Sequence, residues 1–213
     1  MRYGDMHPEK VLMVEGKDDE HVLKHLSGNR RGPHFDEVEP YEGYPRLLAA
    51  IVPRLKAGGN EKVFGIVLDA DTNLEARWQS VRDRLVGLGY NNVPRTPAAD
   101  GTIIDPPNDA FLPRVGIWVM PDNQTTGNLE NFLEFLVPAN SPLYDHVISS
   151  VDEIPPSEQK FSTVDRSKVL IHTWLAWQNE PGKPLGTAIT AKYLDPTVPQ
   201  VDTLISWLNR LFN

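Results

Sequence analysis

Val63-Phe64-Gly65-Ile66-Val67-Leu68-Asp69-Ala70-Asp71 is the stretch that decides the fold. A neutral apolar run of this length reads as a buried strand, and it runs out on two carboxylates one residue apart. A second run of the same kind, Val11-Leu12-Met13-Val14-Glu15-Gly16, also stops on an acid. In a parallel sheet the carboxyl ends of the strands open onto one crevice, where ligands bind.

Working outward, helical periodicity fills the gaps between strands. A helix is expected from Lys17 to about Gly28, with Asp18 and Asp19 in its first turn and Val22, Leu23 and Leu26 as its buried stripe. Glu37 to Glu42 reads as a weaker strand near an edge. Leu47, Leu48, Ile51 and Leu55 mark the next helix, which stops at Gly58-Gly59. After the decisive strand, Asp71, Thr72 or Asn73 caps a helix running to about Leu88. The alternation of strand and helix predicts an α/β fold with a mainly parallel sheet and right-handed crossovers. Residues 91–113 are rich in proline, with one short strand expected around Thr102 to Ile104. A further strand, Val115 to Met120, leads to Asp122, and Thr126 or Asn128 then caps a short helix from Leu129 to Leu136.

From Pro138 the pattern changes to helices alone, near 141–150, 163–178, 185–193 and 200–212. The division expected is an α/β domain over 1–137 and a helical extension over 138–213 that packs on it. The last helix carries Val201, Leu204, Ile205, Leu208, Leu211 and Phe212 on one stripe.

The chain has 213 residues, no cysteine and a formal net charge of −8. Without cysteine there is no disulfide, thiol nucleophile or thiolate zinc site, and a cytoplasmic protein is expected. No segment approaches the ~20 apolar residues of a membrane helix, and Met1 to Asp5 has no apolar run of the kind a signal peptide carries. The acidic balance opposes binding to a polyanion.

The candidate site is Glu15, Asp69 and Asp71, with Glu130 and Asp122 as additions. On an extended strand residues i and i+2 point the same way, so Asp69 and Asp71 are expected to face one cation together. Converging carboxylates suit a hard, oxygen-loving ion such as Mg²⁺, with Mn²⁺ as substitute. Glu15 is expected to complete the shell or to act as general acid/base. The competing reading is that acids at strand ends merely cap the following helices. Lys17 is a weak candidate for a substrate phosphate. Arg77 and Arg84 share a helix face and read as a wet surface or a backbone-tracking pair. Trp174 and Trp177 read as core, and His21 and His25 lack a third ligand for zinc.

Glu15-Gly16 after the first strand and Asp69-Ala70-Asp71 after the third resemble the Toprim family over about residues 10–136. That module occurs in topoisomerases, bacterial primases, recombination proteins and nucleases of the overcoming-lysogenization-defect type. Val14 to Glu20, with a later Gly127-Asn128-Leu129-Glu130, looks like small stand-alone Toprim-like proteins. The resemblance implies a Toprim-like (Rossmann-like) fold and Mg²⁺-dependent phosphoryl transfer on DNA or RNA, as a nuclease or nuclease subunit. The aspartates would hold metal and the glutamate would serve as acid/base or ligand. No Gly-x-x-x-x-Gly-Lys-Ser/Thr occurs, so an ATPase would be a separate partner. The alternative is an inactive Toprim-like module that binds metal, nucleotide or protein. The terminal helices could also form a homodimer surface. A receiver-like phosphoacceptor ranks below both, because the strand ending Met120-Pro121-Asp122 offers no lysine.

Overall fold

The decisive stretch forms β3 (Lys62–Asp69), the middle strand of a five-stranded sheet. The computed structural model describes residues 9–59, 62–108 and 110–213, so the Met1 to Asp5 stretch read above lies outside the described residues. β3 pairs in parallel with β1 (Glu9–Val14) on one side and β5 (Arg114–Met120) on the other. β2 (Glu37–Pro40) adds to β1 in parallel at one edge, and β4 (Thr102–Ile104) closes the other edge antiparallel to β5. The order is β2-β1-β3-β5-β4. The fold is α/β with a mostly parallel sheet flanked by helices, as the alternation of strand and helix predicts.

Both faces of the sheet are buried, so the central strands read as nearly unbroken apolar runs. Val11, Met13, Phe64, Ile66, Leu68, Ile117 and Val119 face α2 (Tyr44–Gly58) and α3 (Leu74–Leu88). Leu12, Val14, Val67, Trp118 and Met120 face the opposite layer. That layer combines α1 (Lys17–Arg30) and α4 (Leu129–Glu134) with α5 (Pro142–Asp152), α6 (Arg166–Ala176), α7 (Leu185–Thr190) and α8 (Pro199–Phe212). The helices beyond residue 138 therefore share one apolar cluster with the sheet.

α8 lies close against the sheet because two strands have no side chain beneath it. Gly65 and Gly116 stand opposite one another in the β3–β5 register. A Cβ on Gly116 would fall 2.4 Å from Leu211 Cδ2, and one on Gly65 would fall 3.1 Å from Phe212 Cζ. Glycine inside a strand marks this kind of approach. Burying the Leu204, Leu208, Leu211 and Phe212 side chains contributes on the order of 1.5–3 kcal/mol each.

Several boundaries differ from expectation for local reasons. The strand from Glu37 stops at Pro40, and Glu42 then takes φ +53°. The helix expected over 163–178 opens as a 3₁₀ turn, Thr163–Asp165, and ends at Ala176. The helix expected over 185–193 ends at Thr190, two residues before Lys192 takes φ +61°. Among the described residues no helix is long and apolar enough to cross a membrane.

Candidate metal centre

The chain leaves β1 to form β2 on one side, then returns to form β3 on the other. The strand order thus reverses between β1 and β3, the position where open α/β sheets form their ligand crevice. Glu15 follows β1 and Asp69 ends β3 at this point. The Asp69 N–H donates to Glu15 Oε1 at 2.9 Å, fastening the two strand tips together.

Asp19 enters from the first turn of α1. Its Oδ2 accepts the Gly16 N–H at 3.0 Å, and the residue is buried at 6% exposure. In the sequence Asp19 reads as a helix-end charge. No spacing rule marks it, because Glu15 lies before the helix, which begins at Lys17, and the i, i+4 relation does not reach it. Glu130 arrives on α4, also 6% exposed. A loop positions it: Gly127 and Asp71 exchange two main-chain hydrogen bonds of 2.7 and 2.8 Å, folding the segment after β5 back over β3. Gly127 takes φ +138°, and a Cβ there would meet Asn131 Oδ1 at 2.6 Å, so this turn requires glycine. Asn128 then caps α4.

Glu15, Asp19, Asp69 and Glu130 line one crevice of about 320 Å³, with Lys17 and Lys168 at its exposed mouth. Lys168 Nζ lies 3.9 Å from Glu130 Oε1. It comes from α6, so the terminal helices reach the site. Burial pushes the Asp19 carboxyl up to about 7, helped by the charge of Glu15. Burial likewise holds Asp69 well above the usual carboxylate range, with Asp19, Glu15, Asp71 and Glu130 adding repulsion. Glu15 is raised by burial, partly offset by the amide of Asp69 and the charge of Arg77.

A scan against protein-family models matches residues 9–213 to a protein family of unknown function, DUF3226. The chain belongs to the DUF3226 family. Neither the curated proteins nor the solved structures contain a match to it.

The crevice of this DUF3226 chain brings the carboxylates of Glu15, Asp19, Asp69 and Glu130 together. Asp19 Oδ1 and Asp69 Oδ1 are sealed from solvent and have no hydrogen-bond partner, a costly state for carboxylate oxygens. The donors are all hard oxygens, matching Mg²⁺ or Mn²⁺. Among the described residues no three His, Asp or Glu side chains are grouped closely enough to hold a metal ion as they stand.

The structure separates the other sequence candidates. Asp71 is not extended: it takes φ +48°, so the i, i+2 alternation ends at Asp69. Its carboxylate pairs with Arg77, and it lines a neighbouring polar cleft with Asn128, Glu134 and Arg166. Asp122 lies outside the crevice, where its Oδ1 accepts from Gln124 N, Thr125 N and Thr125 Oγ1. Arg84 bridges α3 to the Leu48 carbonyl of α2. Trp174 is buried, whereas Trp177 is 42% exposed and stacks on His146.

Proposed function

We propose that this chain performs Mg²⁺-dependent phosphoryl transfer of the Toprim type, hydrolysing phosphodiester bonds in nucleic acid. The observation that carries the reading is the sealed, unpartnered Oδ1 of both Asp19 and Asp69, two residues that line one crevice with Glu15 and Glu130 at the sheet's switch point. The Glu15-Gly16 and Asp69-Ala70-Asp71 motifs support it.

Asp69 and Asp19 would hold the ion through their free oxygens, with Glu130 beside them. When bound, the ion supplies Lewis-acid polarisation of the phosphoryl oxygens and lowers the pKa of a ligated water. Glu15 has its Oε1 committed to the Asp69 amide, with the Tyr44 amide also favouring the charged carboxylate, and it would accept or return a proton from that anchored position. Burial raises its affinity for protons above that of an ordinary glutamate, the direction a general acid/base needs. Lys17 and Lys168 draw the substrate phosphate to the mouth of the crevice.

The test is a gel assay on single- and double-stranded DNA and RNA with Mg²⁺ or Mn²⁺, comparing wild type with Asp69→Ala. Metal-dependent cleavage that the variant loses supports the reading. Cleavage that survives the substitution removes the site assignment.

One observation favours a second reading, a metal-binding module without catalysis that docks on a protein such as a separate ATPase. The arginines are largely spent on acids of the same chain, as in Arg30–Asp202, Arg54–Glu39 and Arg166–Asp152, and the net charge is −8. Under that reading Mn²⁺ binds and no nucleic acid is cut. Either form belongs in the cytoplasm, where a cysteine-free chain needs no oxidising compartment.

A further inference from the structure

Arg77 does not itself line the crevice, but its two partners, Tyr44 and Asp71, lie one and two residues from Gly43 and Asp69, which do. It projects from the first turn of α3, pairs with the Asp71 carboxylate through Nη2, and stacks its guanidinium 3.5 Å from the centroid of the Tyr44 ring. Both partners are themselves fixed. Asp71 is held by its two main-chain bonds to Gly127, and Tyr44 opens α2 directly after Gly43, whose N–H bonds the Glu15 carbonyl at 2.8 Å. The charge of Arg77 is felt at Glu15.

A guanidinium carries five N–H donors. Among the described residues the side-chain hydrogen bond of Arg77 goes to Asp71, through Nη2; Nε and Nη1 are not engaged. Its face is occupied by Tyr44 and one nitrogen by Asp71, so its orientation is set while its remaining edge stays available. That is the preorganisation a planar, bidentate grip on a phosphate requires. The lysines at the crevice mouth are flexible point charges and offer no such fork. Asp71, for its part, already spends its carboxylate on a cation belonging to the chain, whereas Asp19 and Asp69 have oxygens to spare.

We propose that Asp71 positions Arg77 instead of holding the metal, and that Arg77 grips the phosphate of the substrate beside the Asp19–Asp69 ion site. The inference rests on the phosphoryl-transfer reading for its ligand class, a phosphate ester. It divides the two acids of the Asp-x-Asp pair between two tasks. Asp69 serves the ion, and Asp71 serves the arginine.

The test is calorimetry with two probes, Mn²⁺ and inorganic pyrophosphate, on wild type, Asp69→Asn, Asp71→Asn, Arg77→Met and Arg77→Lys. Methionine keeps an apolar stem against Tyr44, so the fold is not the variable, and thermal melts of each variant check this. Asp71→Asn is expected to keep its Mn²⁺ affinity within about threefold of wild type, while Asp69→Asn loses at least about tenfold. Pyrophosphate, titrated both with Mn²⁺ and in EDTA, is expected to bind roughly tenfold more weakly to Arg77→Met and to Asp71→Asn. Arg77→Lys is expected to restore only part of that loss, because it returns the charge without the fork. Loss of Mn²⁺ from Asp71→Asn equal to that from Asp69→Asn overturns the proposal, as does pyrophosphate binding unchanged by Arg77→Met. A wild type that binds no Mn²⁺ would overturn the ion site itself, and the EDTA titration then decides the role of Arg77 alone.

Discussion

Glu15 and Asp69, 54 residues apart in sequence, are joined by a hydrogen bond from the Asp69 main-chain N–H to Glu15 Oε1 at 2.9 Å. The bond fixes one oxygen of Glu15 and places both carboxylates at one crevice. It also brings two negative groups together in a half-buried place, where their repulsion is weakly screened.

The isosteric substitution Asp19→Asn tests how much strain that crowding stores. The amide oxygen can still accept the Gly16 N–H, while a buried charge and its unpartnered oxygen are removed. The metal-free variant is expected to be more stable than wild type by about 1 kcal/mol or more, read from urea unfolding in EDTA at pH 7.5. In the same variant Mn²⁺ affinity should fall. A variant less stable than wild type in EDTA would show that the charge is not a burden to the fold.

The raised carboxyls set the pH dependence of the metal-free protein. Asp19 moves from an ordinary 3.8 to about 7 on folding, and Asp69 and Glu15 move in the same direction. Between those values the native state binds more protons than the unfolded state, so unfolding free energy falls as pH rises. The contribution is fully present below about 3.8, is lost progressively up to about 7, and is then flat. Urea midpoints in EDTA should therefore be higher at pH 5 than at pH 7.5. Saturating Mg²⁺ binds the deprotonated carboxylates and should reduce or invert that trend.

Lys168 is exposed and sits 3.9 Å from Glu130. Lys168→Ala should leave the melting temperature within a degree or two, because exposed ion pairs contribute little. If the crevice takes a phosphate, kcat/KM on a nucleic acid substrate should fall roughly tenfold, with the loss growing as salt is lowered. An unchanged kcat/KM would remove Lys168 from the substrate path.

Gly116→Val tests the seat of α8. The added carbons would overlap Leu211, whose Cδ2 would lie 2.4 Å from a Cβ at this position. Overpacking of this kind costs about 1–3 kcal/mol, measurable by chemical denaturation. Gly87→Ala is the control: a Cβ there meets nothing within 4 Å, so helix stability should rise slightly.

The strands and helices were legible because periodicity is local. Val63 to Leu68 and the α8 stripe show their burial residue by residue. The convergence of Glu15 and Asp69 was legible too, since the ends of neighbouring parallel strands share one crevice. Three things were not. Asp19 looked like any first-turn acid, and only the packing of α1 shows which way it faces. Asp71 reads as extended like Asp69, but it takes φ +48° and bridges to the distant Gly127, a contact that no local spacing shows. Lys168 lies 99 positions past Asp69 on a helix whose placement depends on the apolar cluster, and no spacing rule reaches that far. Gly65 and Gly116 were visible as glycines inside strands, a signal for close approach that could have placed α8.

The pairing of α8 with the Gly65–Gly116 groove has a kinetic consequence. The sheet face beneath it is closed by an element separated from β3 by most of the chain, so its contacts require closure of a long loop before they repay the entropy. Local helices and the α2–α3 layer can form well ahead of that event. Refolding should accordingly be slower than the formation of its isolated helices, as expected of a mixed α/β fold whose central sheet joins distant segments. Until α8 docks, Val67, Trp118 and Met120 are without that part of their cover. Detachment of α8 would therefore open the sheet on the face of Gly65 and Gly116 while leaving the strand ends that carry Glu15 and Asp69 in register.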